Sequence, residues 1–172
     1  MNLKEMKVLS MGLSLIMALL FTGCSSDDDP AAEPEKEVAY AITYSVSEIS
    51  EDLLTCGAAF VTYADKDGKE QTVELTKDNV PFSVKVEGLK SDSRLFFDLI
   101  FGYNEDVKLT KDKYTFAKSA SYSLKGTDGS SLAATLASGS VTVGKEKVRD
   151  YMLEFINKDF TLDSTAKKLL SK

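Results

Sequence analysis

From residue 38 the chain reads Val38-Ala39-Tyr40-Ala41-Ile42-Thr43-Tyr44-Ser45-Val46. A large apolar side chain occupies every second position of this stretch, and a small or polar one lies between each pair. Because successive side chains of a β-strand point to opposite faces, a period of two is typical of a strand that buries one face. The stretch therefore predicts that the domain begins with a half-buried strand.

The same period recurs down the chain and is interrupted by turn-forming residues. Further strands are predicted at 58–63, 71–76, 80–87, 94–103, 114–124 and 140–143. Asp65-Lys66-Asp67-Gly68 and Thr127-Asp128-Gly129-Ser130 have the composition of tight turns between strands. Roughly eight short strands separated in this way predict an all-β fold, a single β-sandwich or small barrel, for residues 38–172.

The predicted strand at 94–103 is apolar on both of its faces. One face alternates large apolar and aromatic residues, and the other adds Phe96 and Ile100. We therefore expect this strand in the centre of a sheet. Asp98 interrupts the run, and alternation puts it on the same face as Arg94. We interpret these two residues as a surface ion pair rather than Asp98 as a catalytic carboxylate.

The region that follows the predicted strand at 140–143 fits two patterns. Val148, Met152 and Phe155 have helical spacing, whereas Tyr151, Leu153 and Phe155 alternate as in a strand. We favour a strand that pairs with the preceding one, because every earlier element is β and the residues between them resemble a hairpin loop. A short C-terminal helix is the alternative.

The first 23 residues have the parts of a secretory signal peptide. Lys4 and Lys7 precede an apolar run that extends from Val8 to Phe21. This run is shorter than the roughly 20 residues that a transmembrane helix needs, and it suits the apolar region of a signal peptide.

The run ends in Phe21-Thr22-Gly23-Cys24, which resembles the lipobox of bacterial lipoproteins. The resemblance implies that residues 1–23 are removed and that Cys24 carries a lipid that anchors the chain to a membrane. Ser25-Ser26-Asp27-Asp28-Asp29 resembles the surface-export signal of Bacteroidetes lipoproteins, which implies an outer-membrane protein exposed at the cell surface. Prolines and alternating charges complete a stiff, solvated linker over 24–37.

Two further resemblances concern the domain itself. Residues 84–95 are similar to the E–F region of fibronectin type III domains, with Leu89 and Leu95 keeping the spacing and Leu95 standing where that family has Tyr. Residues 42–46 with 63–70, and 138–143 with 151–155, resemble small β-rich lipoproteins of Bacteroidetes. The resemblances imply an immunoglobulin-like or fibronectin-like sandwich at the cell envelope.

Composition excludes several classes of function. The chain contains no histidine and no tryptophan and has a formal net charge of −6. Segment 1–23 carries two lysines against one glutamate, so its removal makes the remainder one unit more acidic. An acidic domain repels phosphate backbones, which argues against nucleic-acid binding. Without histidine, Ser-His-Asp catalysis and most zinc, haem and iron sites are excluded. We expect no enzymatic activity, no metal ion and no cofactor.

Two other chemically interesting positions have structural interpretations. Cys56 lies among apolar residues, which predicts a small buried thiol, since free cysteine is among the most buried residue types. Asp65-Lys66-Asp67-Gly68 contains the opening of a calcium-binding loop, but Thr76 stands where such a loop needs a glutamate. We therefore interpret the segment as a hairpin turn.

Aromatic residues at strand ends are the candidates for ligand contact. Tyr63, Tyr103 and Tyr114 are the best placed to expose a ring, and sugars stack on exposed rings. We expect a lipid-anchored envelope lipoprotein with a non-enzymatic binding or accessory domain of unknown ligand. One alternative is a glycan-binding accessory protein of a polysaccharide-uptake system, which needs two or three exposed aromatics on one sheet face or loop cluster. The other is a structural envelope or fimbria-like component, which needs a strand edge free to accept a partner strand.

Overall fold

The computed structural model describes residues 37–156 and 158–171. The expected signal peptide at 1–23, the lipid attachment residue Cys24 and almost all of the expected linker lie outside the described residues. Within those residues, no helix is both long enough and apolar enough to cross a bilayer.

Strands dominate the described part of the chain, and short helices join or follow them. The strands are β1 (Tyr40–Ile49), β2 (Gly57–Ala64), β3 (Glu70–Leu75), β4 (Phe82–Leu89), β5 (Arg94–Tyr103), β6 (Lys113–Gly126), β7 (Ser131–Gly144) and β8 (Thr161–Thr165). The helices are α1 (Glu51–Cys56), α2 (Val148–Ile156) and α3 (Ala166–Leu170), and a 3-10 turn (Lys145–Lys147) precedes α2.

The strands form two four-stranded antiparallel sheets. Sheet A has the order β4-β1-β6-β7, and sheet B has the order β3-β2-β5-β8. The expected all-β sandwich is confirmed, and the described strands form no closed barrel. Strand β5 lies between β2 and β8, so its expected central position is confirmed as well.

The core lies between the two sheets and is built from the alternating apolar residues of each. Ile42, Tyr44 and Val46 of β1 are fully buried, and Leu95 and Phe97 of β5 are equally buried. The rings of Tyr44 and Phe97 stack with their centroids 4.9 Å apart. Full burial of a side chain of this size contributes about 1.5–3 kcal/mol, so these alternating faces decide the fold.

Both expected turns form as the sequence predicts. The Asp65 carboxylate accepts hydrogen bonds from the backbone N–H of Asp67 at 2.9 Å and of Lys69 at 3.0 Å. Gly68 adopts the left-handed conformation, with a φ of 77°, that the hairpin between β2 and β3 requires. The turn between β6 and β7 has Gly129 in the same region, with a φ of 88°.

Helix α1 is attached to sheet A at its N-terminal end. The hydroxyl oxygen of Ser50 caps the helix by accepting from the N–H of Leu53 at 3.3 Å, and it also accepts from the N–H of Ala117 on β6 at 3.0 Å. The Asp52 carboxylate accepts from the N–H of Thr115 at 2.7 Å and from the Lys111 ammonium. These bonds join one turn of helix to the middle of the sheet.

The favoured strand after Gly144 is wrong, because residues 148–156 form helix α2. Val148, Met152 and Phe155 are fully buried or nearly so, and their spacing of four and three residues matches one side of a helix. Phe155 packs on Phe101 of β5 with a centroid separation of 4.7 Å, and Tyr151 stacks on Phe116 of β6 at 5.2 Å. Burial of these rings between the sheets outweighs the pairing that a strand would have gained.

The short strand expected at 140–143 is only the end of β7. This strand begins at Ser131, and all of it except Leu136 pairs with β6 from Lys125 back to Lys113. Its first half, residues 131–137, has three alanines and only two large apolar residues, so the alternation that makes a strand visible in a sequence is weak there.

Candidate functional site

The outer face of sheet A is covered by small hydroxyl-bearing side chains. Its groove of about 300 Å³ is lined by Thr43, Ser45, Ser121, Tyr122, Ser123, Ala133, Ala134 and Thr135. The serine and threonine side chains also bond to one another across strands, as Thr115 and Thr142 do at 2.8 Å between their hydroxyl oxygens. The outer face of this sheet therefore presents little apolar surface to a partner.

The outer face of sheet B is different, because it carries large apolar side chains. Phe60 of β2 pairs with Ile100 of β5, and Phe96 lies four residues earlier on β5. Their neighbours in sequence, such as Val61, Leu99 and Phe97, are the residues that face the core. By alternation, Phe60, Phe96 and Ile100 point away from the core, and we call these three residues the sheet B patch.

The sheet B patch is accessible to solvent in the described structure. Ile100 is 44% exposed and is the one large apolar residue of the described chain in the exposed class. Phe60 and Phe96 are half-buried, and neither belongs to the core cluster nor packs against it. Apolar side chains that cluster outside the core and remain in contact with water are typical of an interaction surface.

An ion-pair network borders the patch at one end. The Arg94 guanidinium donates to both carboxylate oxygens of Asp163, at 3.2 Å from Nε and 2.9 Å from Nη2, and to Glu70 at 2.8 Å. Its carbon Cζ lies 4.4 Å from the centroid of the Phe96 ring. The hydrogen bonds from Arg94 hold the pKa of Asp163 below its usual value. The expected pairing of Arg94 with Asp98 is thus wrong, because Arg94 bonds instead to Asp163 on the neighbouring strand β8 and to Glu70 on β3, which lies beyond β2.

Asp98 lies between Phe96 and Ile100 on the same outer face. Its carboxylate accepts a hydrogen bond from the Thr161 hydroxyl of β8 at 2.8 Å. On the other side, Thr62 and Thr72 bond to each other at 2.9 Å. The patch is therefore interrupted by a polar row that crosses the sheet and offers hydrogen-bonding groups beside the apolar ones.

The carboxylates outnumber the cations on this face. Its strand residues with a charge are Glu70, Glu74, Arg94, Asp98 and Asp163. Only Arg94 among them is positive. The sheet B patch is therefore an apolar surface with an acidic border.

The three tyrosines proposed from the sequence do not form a common site. Tyr114 is 2% exposed, so the expectation of an exposed ring is wrong for this residue; its hydroxyl accepts the backbone N–H of Lys111 at 3.0 Å. Tyr63 and Tyr103 are half-buried and pack against the core. Tyr63 pairs with Phe97 and Tyr103 with Gly57, so the two lie about 20 Å apart at opposite ends of sheet B. All three rings belong to core-facing positions, where alternation put them.

Cys56 and Asp65 have the structural roles that were predicted for them. Cys56 is fully buried in the core, and burial raises the pKa of its thiol. The Asp65 carboxylate bonds to two backbone N–H groups of its own turn and to the side-chain amide of Gln71 at 2.9 Å. Neither residue lies in the sheet B patch.

Part of the sheet B patch was visible in the sequence. Phe96 and Ile100 stood out as apolar residues on the second face of a strand, which indicated only a central strand. Phe60 belongs to the apolar run at 58–63, and nothing in that run distinguishes an inner from an outer ring. The signal that was missed is the pairing of the two strands, which brings Phe60 and Ile100 together on the side away from sheet A.

Comparison with known proteins gives no family for this chain. No protein-family model matches it, and no curated protein is similar to it in sequence at a significant level.

Proposed function

We propose that this chain is a lipid-anchored lipoprotein of the cell envelope whose β domain binds a partner without catalysis. The sheet B patch is the observation that carries the binding part of the proposal. The anchoring part is supported by the lipobox-like Phe21-Thr22-Gly23-Cys24 and the acidic, proline-containing linker that follows it. A tethered domain with one apolar outer face is suited to hold another molecule at the membrane surface.

The partner that best fits the sheet B patch is a protein surface with an apolar centre and a basic border. Apolar contact with Phe60, Phe96 and Ile100 supplies area that is removed from water. The surplus of carboxylates around them favours lysine or arginine at the periphery of the partner and accelerates encounter at low salt. We place this partner in the envelope, because the lipid on Cys24 keeps the domain there.

The carboxylates that sequence analysis weighed for other roles are held by structural bonds. The Asp98 carboxylate accepts a hydrogen bond from the Thr161 hydroxyl, and the Asp65 carboxylate accepts hydrogen bonds from backbone N–H groups of its own turn. These observations support a binding role over a catalytic one.

A glycan is the second candidate partner. Phe60 and Phe96 are two rings on one sheet face with Asp98 and Thr161 beside them, which combines stacking surfaces with hydrogen-bonding groups. In a panel of plant, host and microbial polysaccharides, this candidate predicts saturable binding that Phe96→Ala weakens and Tyr103→Ala leaves unchanged. Loss of binding in Tyr103→Ala but not in Phe96→Ala would rule out the sheet B patch as the glycan site.

The anchoring part is tested with Cys24→Ser and a matched Ser25→Ala variant. We expect Cys24→Ser to abolish metabolic labelling with a fatty-acid analogue. The mature, lipid-anchored form of the protein should then be absent from the membrane fraction. Ser25→Ala should be labelled as the wild type is. Undiminished labelling of Cys24→Ser would refute lipid attachment at this residue.

The binding part is tested with a charge placed in the patch. In gently solubilised envelopes, we expect the wild type to sediment in a complex that contains a second, different protein. Ile100→Glu should lose that complex, because a carboxylate would be desolvated in an apolar contact. Ser45→Glu on the outer face of sheet A is the control and should retain it. A complex that survives Ile100→Glu and is lost in Ser45→Glu would show that the binding site lies on the outer face of sheet A.

A further inference from the structure

Strand β7 is one of the two edge strands of sheet A, and it differs from the other sheet edges in its composition. Its 14 residues, Ser131–Gly144, contain no charged side chain and no proline. The other edge strands each carry charge, as Lys85 and Glu87 do on β4 and Asp163 does on β8. Charges on an edge strand prevent pairing with a second chain, so β7 is the edge without this protection.

The outer side of β7 makes no hydrogen bond within the described residues. Apart from its ladder with β6, none of the backbone groups of residues 131–143 bonds to another backbone group in the described chain. Helices α2 and α3 lie near the strand, and their residues Met152, Phe155 and Leu169 are buried in the core. The backbone N–H and C=O groups along this edge are therefore free to pair with another strand.

Two irregularities divide β7 into equal halves. Leu136 is an extra residue, because Ala120 pairs with Ala137 while its neighbour Ser121 pairs with Thr135. Gly139 has a φ of 139°. The regular segments 131–135 and 140–144 flank these positions and have the same length.

We propose that β7 pairs antiparallel with β7 of a second copy of this chain, joining two A sheets into one continuous sheet. A two-fold axis at the centre of the irregular stretch places segment 131–135 opposite segment 140–144 of the other copy. The strand is its own partner in this arrangement, and a two-fold axis closes the assembly at two copies. The proposal concerns a different surface from the sheet B patch and does not depend on it.

The side-chain directions of the two halves agree with this register. Leu132 and Val143 face the core side, since they pair with the inward-facing Leu124 and Tyr114 of β6. The two-fold axis brings Leu132 opposite Val143 of the second copy, so core-facing residues meet core-facing residues. In the same way, the exposed Thr135 comes opposite Ser140 of the second copy on the outer face. The bulge at Leu136 supplies the shift of one residue that makes both matches possible.

The charges beyond the two ends of β7 are complementary in the same arrangement. The turn before the strand contains Asp128, and the turn after it contains Lys145, Glu146 and Lys147. Antiparallel pairing places the acidic turn of one copy beside the net basic turn of the other. A second copy of this chain therefore fits the edge in shape, polarity and charge.

The test is the oligomeric state of the full-length protein, purified in detergent and measured by light scattering and sedimentation over a wide range of concentration. We expect a reversible dimer. Thr135→Lys/Ser140→Lys puts like charges directly opposite each other twice, and it should raise the dimer dissociation constant by about tenfold or more. Ser91→Lys/Thr110→Lys adds the same charge at exposed loop positions and should dimerise as the wild type does.

Charge complementation makes the test specific for the register. Thr135→Glu/Ser140→Glu should also dimerise weakly, but an equal mixture of the lysine and glutamate variants should form a heterodimer at wild-type concentrations. Circular dichroism checks that each variant is folded. A monomer at every concentration, a dimer indifferent to the lysine pair, or a mixture without recovery would overturn the proposal. A dimer that Ile100→Glu abolishes and the lysine pair does not would assign self-association to the sheet B patch instead.

Discussion

At Tyr44 the fold buries an entire tyrosine side chain, including its hydroxyl group. The backbone of Phe96 comes close enough to influence the hydroxyl, but no hydrogen bond of normal geometry joins the hydroxyl to another described residue. The ring itself contributes to the packing of the core, since it stacks on Phe97. The hydroxyl therefore costs desolvation free energy that a bond of normal geometry does not offset.

Removing this hydroxyl is expected to leave the fold at least as stable. Tyr44→Phe keeps the ring, so we expect the free energy of unfolding in urea to be unchanged or raised by up to about 1 kcal/mol. Tyr114→Phe is the matched control, because its hydroxyl accepts the backbone N–H of Lys111, and it should lower that free energy by about 1 kcal/mol. Equal losses in the two variants would show that Tyr44 is hydrogen-bonded.

Tyr44 also predicts a dependence of stability on alkaline pH. Burial raises the pKa of its hydroxyl far above the usual value of 10.0. Above about pH 10 the unfolded chain loses this proton while the folded chain keeps it, so the unfolded state is favoured as the pH rises. Below pH 10 the effect is absent. We expect the stability of the wild type to fall more steeply than that of Tyr44→Phe when unfolding is measured from pH 8 to pH 11, and parallel curves would contradict this.

The strand positions of the three candidate tyrosines could be predicted from the sequence, but their exposure to solvent could not. Alternation put Tyr63, Tyr103 and Tyr114 on the core face, and the structure has them there. Their positions near strand ends suggested exposure, but the Lys111 ammonium lies 5.9 Å from the centroid of the Tyr114 ring, and Tyr114 is buried. Exposure at a strand end depends on which loops cover it, and this information is not local in sequence.

Helix α1 shows how an element of one and a half turns is held in place. The Ser50 hydroxyl oxygen accepts two hydrogen bonds, and the Ser50 backbone N–H donates to the carbonyl of Ala117 at 2.9 Å. A helix of this length is not stable alone, so its attachment to β6 is what maintains it.

Loss of the Ser50 hydroxyl should therefore cost more than loss of an ordinary surface hydroxyl. We expect Ser50→Ala to lower the free energy of unfolding by about 1–2 kcal/mol, since it removes a helix cap and leaves the N–H of Ala117 without its partner. Ser47→Ala is the control, because its hydroxyl makes only a long 3.4 Å bond to Ser119. Equal and small changes in the two variants, measured by urea unfolding, would contradict this account of α1.

The elements that sequence analysis missed are those whose stability comes from distant contacts. Residues 148–156 satisfy both periods, and the ring stacking of Tyr151 on Phe116 decides in favour of a helix. The alanine-rich first half of β7 is a strand because β6 pairs with all of it except Leu136. Local patterns identify strands that bury large residues, but they do not identify strands that are extended mainly by a neighbour.

At the scale of the whole molecule, alternation alone was sufficient to predict a sandwich with roughly eight strands. The division into sheets could not be predicted, because pairing partners such as β1 with β6 lie far apart in sequence. The candidate site depends on that division. Phe60, Phe96 and Ile100 form one patch only because β2 and β5 are neighbours in sheet B and no further layer of the described chain covers their outer face.

We propose above that a partner contacts the outer face of sheet B in the cell. The most direct measurement is photo-crosslinking on intact cells, with a photoreactive amino acid at Ile100 in one full-length variant and at Ser45 in another. We expect a discrete adduct from position 100 that is of higher mass than this protein alone, and none of comparable yield from position 45. Adducts of equal yield from both positions, or an adduct from position 45 alone, would contradict it.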